Sequence, residues 1–202
     1  MADSVPAFSS RDPLSPAFWD ERFDKAFTPW DRGRAPAALR RFVAEAAAPL
    51  SALIPGCGSA HELALMCAAG WDVTAIDFSP VAVARARALA GPWAARIVEA
   101  DFFAWEAARP LDLVYEQAFL CALPRERWAE VARRWEALLA PGGMLAGYFF
   151  FDDNVKGPPF GIGRARLEAL LAPGFACVVD EAVEDSLPVF GEKERWMVWR
   201  RR

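Results

Sequence analysis

The residues of this chain best suited to holding a ligand are a glycine turn and two acids. Gly56-Cys57-Gly58 follows the apolar run Leu53-Ile54-Pro55, and Asp77 closes the run Val73-Thr74-Ala75-Ile76 nineteen residues beyond Gly58. Asp101-Phe102 follows a third short run, Ile97-Val98-Glu99. Glycine after a strand lets the backbone approach another group closely. An acid at the carboxyl end of a strand can accept hydrogen bonds from sugar hydroxyls. Cys57 and His61 stand four positions apart on the same turn and helix, a poor arrangement for a nucleophile and its base. Cys57 therefore reads as a small buried turn residue, and His61 as a surface residue at a helix N-terminus. Ser59 with Glu62 three residues later has the form of a capping box.

Three ligands compete for such a turn. A nucleoside triphosphate calls for a lysine and a hydroxyl after the last glycine, and the turn has no lysine. A dinucleotide calls for Gly-x-Gly-x-x-Gly, and the third glycine position is His61. S-adenosyl-L-methionine carries an adenosine but no phosphate. A tight turn at its amino acid end, Asp77 at its ribose, and Asp101 with Phe102 at its adenine would suit it. Glu62 near its amine is the alternative to the capping box. Asp101 remains open between adenine contact and an ordinary turn acid.

The surrounding pattern alternates between strand and helix. Helices are expected over residues 16–27, 37–47, 60–69, 80–90, 124–140 and 163–171. Ser15-Pro16 and Ser79-Pro80 supply start signals for two of them. Strands are expected over residues 50–54, 73–76, 97–99, 111–115, 144–151, 175–182 and 195–199, with Pro141-Gly142-Gly143 stopping the helix before the fifth. Such alternation calls for a mostly parallel sheet flanked by helices, an α/β Rossmann-like fold. The turn, Asp77, Asp101 and the residues after Val114 all fall at carboxyl ends of strands, where ligands of these sheets bind.

The chain has 202 residues, 54% of them hydrophobic and 25% charged, enough for one domain with a substantial core. Residues 1–48 would form a helical cap segment and residues 49–202 the core of that single domain. A formal net charge of -4 argues against nucleic acid or an anionic membrane as partner. Four scattered cysteines and one histidine make a metal site improbable and suit free thiols in a reducing compartment. The first residues lack the basic start and apolar block of a secretory leader, so a cytoplasmic location is expected. A monomer or weak homodimer acting on a small molecule is the expected form.

The segments IPGCGSAHE and GWDVTAIDFSPVAVARA resemble the cofactor core of the thiopurine methyltransferase family, which is class I and adenosylmethionine-dependent. FWDERFDKAFTPWDRG, DFF, YEQAFLCALPRERW, LLAPGGML and GPPF agree with it. The resemblance implies a seven-stranded methyltransferase fold and cofactor contacts from Trp19, Phe23, Trp30, Gly56, Gly58, Asp77, Phe78, Asp101, Phe102 and Gln117. Without it, Trp19 and Phe23, one helical turn apart, would read as a stripe seating the first helix on the core. Vertebrate-like members carry Asp-Arg-Gly where this chain has Glu116-Gln117-Ala118, and Phe119 to Ala122 look closer to the branch that methylates thiols, thiocyanate or halides. Tyr115 and Gln117 either touch the acceptor as catalytic residues or only finish their strand. The expected reaction is methyl transfer from S-adenosyl-L-methionine to a small soft nucleophile such as a thiol or selenium species, leaving S-adenosyl-L-homocysteine. A nicotinamide-dependent oxidoreductase and a non-catalytic cofactor-binding protein are the alternatives on the same fold.

Overall fold

Every residue of the first strand, β1 (Ser51–Pro55), is buried, because the strand lies in the middle of a sheet covered on both faces. The computed structural model describes residues 6–202. Residues 1–5, part of the expected cap and of the leader reading, lie outside the described residues. The other strands are β2 (Asp72–Asp77), β3 (Ile97–Glu99), β4 (Leu111–Gln117), β5 (Leu139–Phe150), β6 (Phe175–Ala182) and β7 (Glu194–Arg201). The helices are α1 (Pro16–Asp24), α2 (Ala37–Glu45), α3 (His61–Ala68), α4 (Pro80–Leu89), α5 (Trp128–Leu138) and α6 (Arg164–Leu171).

The seven strands are ordered β3-β2-β1-β4-β5-β7-β6. β1 pairs in parallel with β2 and β4, and β7 runs antiparallel to both β5 and β6. Alternation within β1 splits the core into two layers. Ala52 and Ile54 join Leu63, Met66, Val73 and Tyr115 on one face, while Leu53 joins Ile76, Val114, Trp128 and Trp135 on the other. The chain order reverses between β1 and β4, so the crevice beyond their carboxyl ends is the topological binding position.

Several expected boundaries moved, among them the helix expected over residues 124–140, which runs from Trp128 to Leu138 behind a short 3-10 turn. The first helix ends at Asp24 rather than near residue 27. Ala26 takes a positive φ of 50°, which turns the chain back toward α1 and brings Trp30 against Trp19. Pro141-Gly142-Gly143 is not a stop before the strand but lies inside β5, where the register with β4 shifts between Leu111 and Leu113. A bulge lets a strand absorb a proline and two glycines that would interrupt a regular ladder. No helix among the described residues is long and apolar enough to cross a membrane.

Candidate active site

A cavity of about 750 Å³ opens at the carboxyl ends of β1, β2 and β4, within the range of small-molecule sites. Its floor is the glycine turn. Gly56 and Gly58 have φ of +57° and +51°, and a Cβ on Gly56 would lie 2.6 Å from the Phe119 ring. Phe23 sits 3.4 Å from where a Cβ on Gly58 would be, so aromatic rings crowd both glycines. The Cys57 N–H donates to the Ile76 carbonyl at 2.9 Å and ties the turn to β2. Cys57 is buried, which pushes its thiol pKa well up, as suits a packing residue rather than a nucleophile.

Asp77 organises this corner. Its Oδ2 accepts from the Gly58 N–H at 3.0 Å and its Oδ1 from the Ser79 N–H at 2.9 Å. Each oxygen keeps a second lone pair, and the residue lines the cavity, so a ribose diol fits the acceptors left over. Burial pushes its pKa up to about 6, against the backbone hydrogen bonds that pull it down. Phe78 lines the cavity beside it. Asp20 of α1, which no sequence signal singled out, accepts from the Ser79 hydroxyl and so buttresses the same turn.

The remaining expected contacts gather here with one exception. Trp19, Phe23 and Trp30 line the cavity, Trp30 standing edge-on to Trp19 at 5.5 Å and to Phe23 at 6.1 Å. Phe23 and its neighbour Phe18 are buried, whereas Trp19 and Trp30 are half-buried. The segment thus serves as core and as cavity roof at once. Phe102 is buried, edge-on to Phe119 at 4.9 Å. Asp101 is exposed at the rim, where its Oδ1 accepts from the Phe103 N–H at 2.9 Å. That bond is the ordinary turn role, and the residue still lines the cavity.

Tyr115 is the exception, and its reading as a catalytic contact is corrected. It is fully buried, lies outside the cavity lining, and donates its hydroxyl to Gln117 Oε1 at 3.1 Å. A residue in mid-strand points into a core layer, and its reach ends at its neighbour on the same face. Gln117 does line the cavity, and its Nε2 has no partner among the described residues. Glu116 faces away. Its Oε1 accepts from the Phe119 and Leu120 N–H groups at 3.0 Å each, so it caps the turn that carries Phe119.

The capping box does not form. Ala60, with φ of 52°, stands at the N-cap of α3 without a side-chain hydrogen bond. The Ser59 hydroxyl donates instead to Asp31, and Glu62 turns into the cavity wall. His61 is not a plain surface residue either. Its Nε2 lies 2.9 Å from Asp31 Oδ1, and Arg85 approaches the other Asp31 oxygen at 3.6 Å. The hydrogen bond to Asp31 raises the His61 pKa although burial opposes it. Burial pushes Asp31 up, but its bonds from His61, Ser59 and Gly33 outweigh that and hold it below the usual carboxylate range. Here a tertiary partner from the N-terminal segment displaces a local cap.

Burial also pushes Glu62 up to about 7 and Glu116 up to about 8. With Asp77, these carboxyls hold protons in the folded state at pH values where the unfolded chain has lost them. Stability of the ligand-free protein therefore increases as pH falls from about 8 toward 5. His61, its pKa raised, contributes in the same direction. A Tm several degrees higher at pH 5.5 than at pH 8, followed by calorimetry, is the expected result; a flat or opposite trend contradicts it.

Comparison with known proteins agrees with this geometry. The profile of the family described as Thiopurine S-methyltransferase (TPMT) matches residues 14–202. Thiocyanate methyltransferase 1 of Arabidopsis thaliana is 32% identical over 190 residues, covering 91% of this chain and 84% of that protein. Thiopurine S-methyltransferase of Vibrio cholerae is 29% identical over 152 residues, covering 66% of this chain and 68% of that protein. In fold, the chain is similar to the 1,6-didemethyltoxoflavin-N1-methyltransferase of Burkholderia thailandensis, with a TM-score of 0.76 and 20% identity. That match covers 98% of this chain and 93% of the other. This chain belongs to the thiopurine S-methyltransferase family of S-adenosylmethionine-dependent methyltransferases.

Proposed function

We propose that the methyl acceptor is a small soft nucleophile, a thiol first and thiocyanate, halide or selenium species next. The observation that carries this reading is the wall beyond Gln117. Phe119, Cys121, Pro158, Pro159 and Phe190 line it, and the unpartnered Gln117 amide is the polar donor among them. The cofactor supplies a methyl group on a positively charged sulfur. A thiolate attacking that carbon forms one S–C bond as another breaks, its proton having gone to solvent beforehand. Opposite charges vanish along this path, so apolar walls favour it over solvation of the separated ions. Trp19, Phe23 and Trp30 offer aromatic faces to the cationic centre. Gln117 would orient the nucleophile, and Tyr115 would hold Gln117. Alignment and exclusion of water can contribute roughly 7–11 kcal/mol to such a step.

The naming of the Arabidopsis relative as a thiocyanate methyltransferase also supports this acceptor class. Four free cysteines support a reducing, cytoplasmic setting. The Asp31–His61 pair on the cavity wall favours a second reading, in which a placed base serves an oxygen or nitrogen acceptor. Radiolabelled methyl transfer to thiols, thiopurines, selenite, thiocyanate and iodide separates the two. Labelling of a thiol or anion is expected, with Asp31→Asn retaining most of kcat at a pH where the acceptor is ionised. Tight cofactor binding with no labelling of any of these acceptors would refute the assignment.

A further inference from the structure

Glu62 stands out among the acids of the cavity. It is 8% exposed, lines the cavity in the first turn of α3, and bonds no other residue among those described. The nearby acids are satisfied. Asp31 holds His61, Ser59 and Arg85, and the carboxylate of Glu194 holds Arg32 and Ser186. Asp77 holds two backbone N–H groups. Its carboxyl accepts from its own backbone N–H alone and meets no cation among the described residues, and a buried carboxyl so thinly compensated beside a ligand cavity suits a cation that arrives with the ligand.

We propose that Glu62 receives the α-ammonium group of the cofactor's amino acid end and gives up a proton as that group binds. The inference rests on the reading of the cavity as the adenosylmethionine site and extends it to the opposite end from Asp77. A lone carboxyl suits a monocation with several N–H donors better than a divalent metal ion, which wants a shell of oxygens. The glycine turn immediately before α3 brings the backbone close to the same end of the ligand.

Around Glu62 stand Cys57 from the turn, Tyr115 from β4, Asp31 and Arg32 from the N-terminal segment, and His61 from its own helix. Burial keeps the free carboxyl protonated up to about pH 7, whereas an ammonium partner demands the anion. Acid therefore weakens binding of the amino acid end. His61 responds in the opposite sense, since its added charge at low pH would favour a carboxylate ligand.

The test compares S-adenosylhomocysteine with 5′-methylthioadenosine, which shares the adenosine but lacks the amino acid end. Calorimetric titration of ligand-free protein between pH 7.5 and 5.5 is expected to show homocysteine-derivative affinity falling toward tenfold per pH unit beyond any loss seen with methylthioadenosine. Glu62→Gln is expected to lose about tenfold or more for S-adenosylhomocysteine at pH 7.5. It should bind methylthioadenosine as the parent protein does, with no pH-dependent gap between the two ligands. Equal binding of S-adenosylhomocysteine by the variant, or a ligand ratio independent of pH, overturns the proposal while leaving the cofactor site intact. No binding of S-adenosylhomocysteine by the parent protein overturns both. Should the variant fail to fold, proton release by the parent protein, measured in buffers of differing ionisation enthalpy, decides alone.

Discussion

Asp77→Asn is expected to weaken binding of S-adenosylhomocysteine and methylthioadenosine alike by about a hundredfold or more. The native carboxylate offers two equivalent oxygens, each already accepting one backbone N–H. A ribose diol would add a hydrogen bond to each. Hydrogen bonds to a charged group are worth roughly 1.5–3 kcal/mol, and two of them account for the hundredfold. Asparagine retains one oxygen only. Its amide N–H₂ would face either the Gly58 or the Ser79 N–H, so the variant also strains the turn that shapes the cavity floor. In the parent protein, methylthioadenosine affinity is expected to fall as pH drops below about 6, because protonation removes the anionic acceptor. The variant should lack that decline. Affinity within threefold of the parent protein, measured by calorimetry, would remove Asp77 from the ribose.

Arg32→Ala carries the largest expected loss of stability. Arg32 Nη2 meets Glu194 Oε2 at 2.8 Å, with side chains only 6% and 1% exposed. The guanidinium also donates to the Asp185 carbonyl and lies over the Tyr148 ring at 4.9 Å. This contact joins the N-terminal segment to β5 and β7, two residues from Trp30. Removing one member of a buried pair strands the other charge and costs about 3–5 kcal/mol. For a domain of this size that is a fall in Tm of roughly 6–20 °C. Arg32→Met combined with Glu194→Gln should recover much of the loss, since no buried charge is then stranded and the amide oxygen can still accept from Ser186 and Leu187. A single variant that melts within two degrees of the parent protein would show the pair to be dispensable.

The legible part of this protein was its periodic part. Strand and helix alternation, the glycine turn and the acids at two strand ends lie within short windows of sequence, where spacing reports geometry directly. β3 and β6 fall at the expected residues, and Asp77, Asp101, Phe102 and Gln117 face one cavity. The apolar run over residues 50–54 likewise pointed to a buried strand, which β1 is.

Side-chain partners over long separations were decided by tertiary structure alone. The Ser59–Glu62 spacing matches a capping box, yet Asp31, 28 residues earlier, takes the Ser59 hydroxyl. His61 finds the same carboxylate, and Glu62 is left on the cavity wall with only its own backbone N–H as donor. Arg32 and Glu194 are 162 positions apart, and no local pattern marks either as half of a buried pair. Tyr115 and Gln117 could each have reached the acceptor by sequence alone; both point to one face of β4, and only Gln117, at the strand's carboxyl end, reaches the cavity. Local spacing determines which elements form and which strand ends carry acids. Which polar groups satisfy one another depends on the packing of those elements, because a hydrogen bond is set by distance in space and not by distance along the chain.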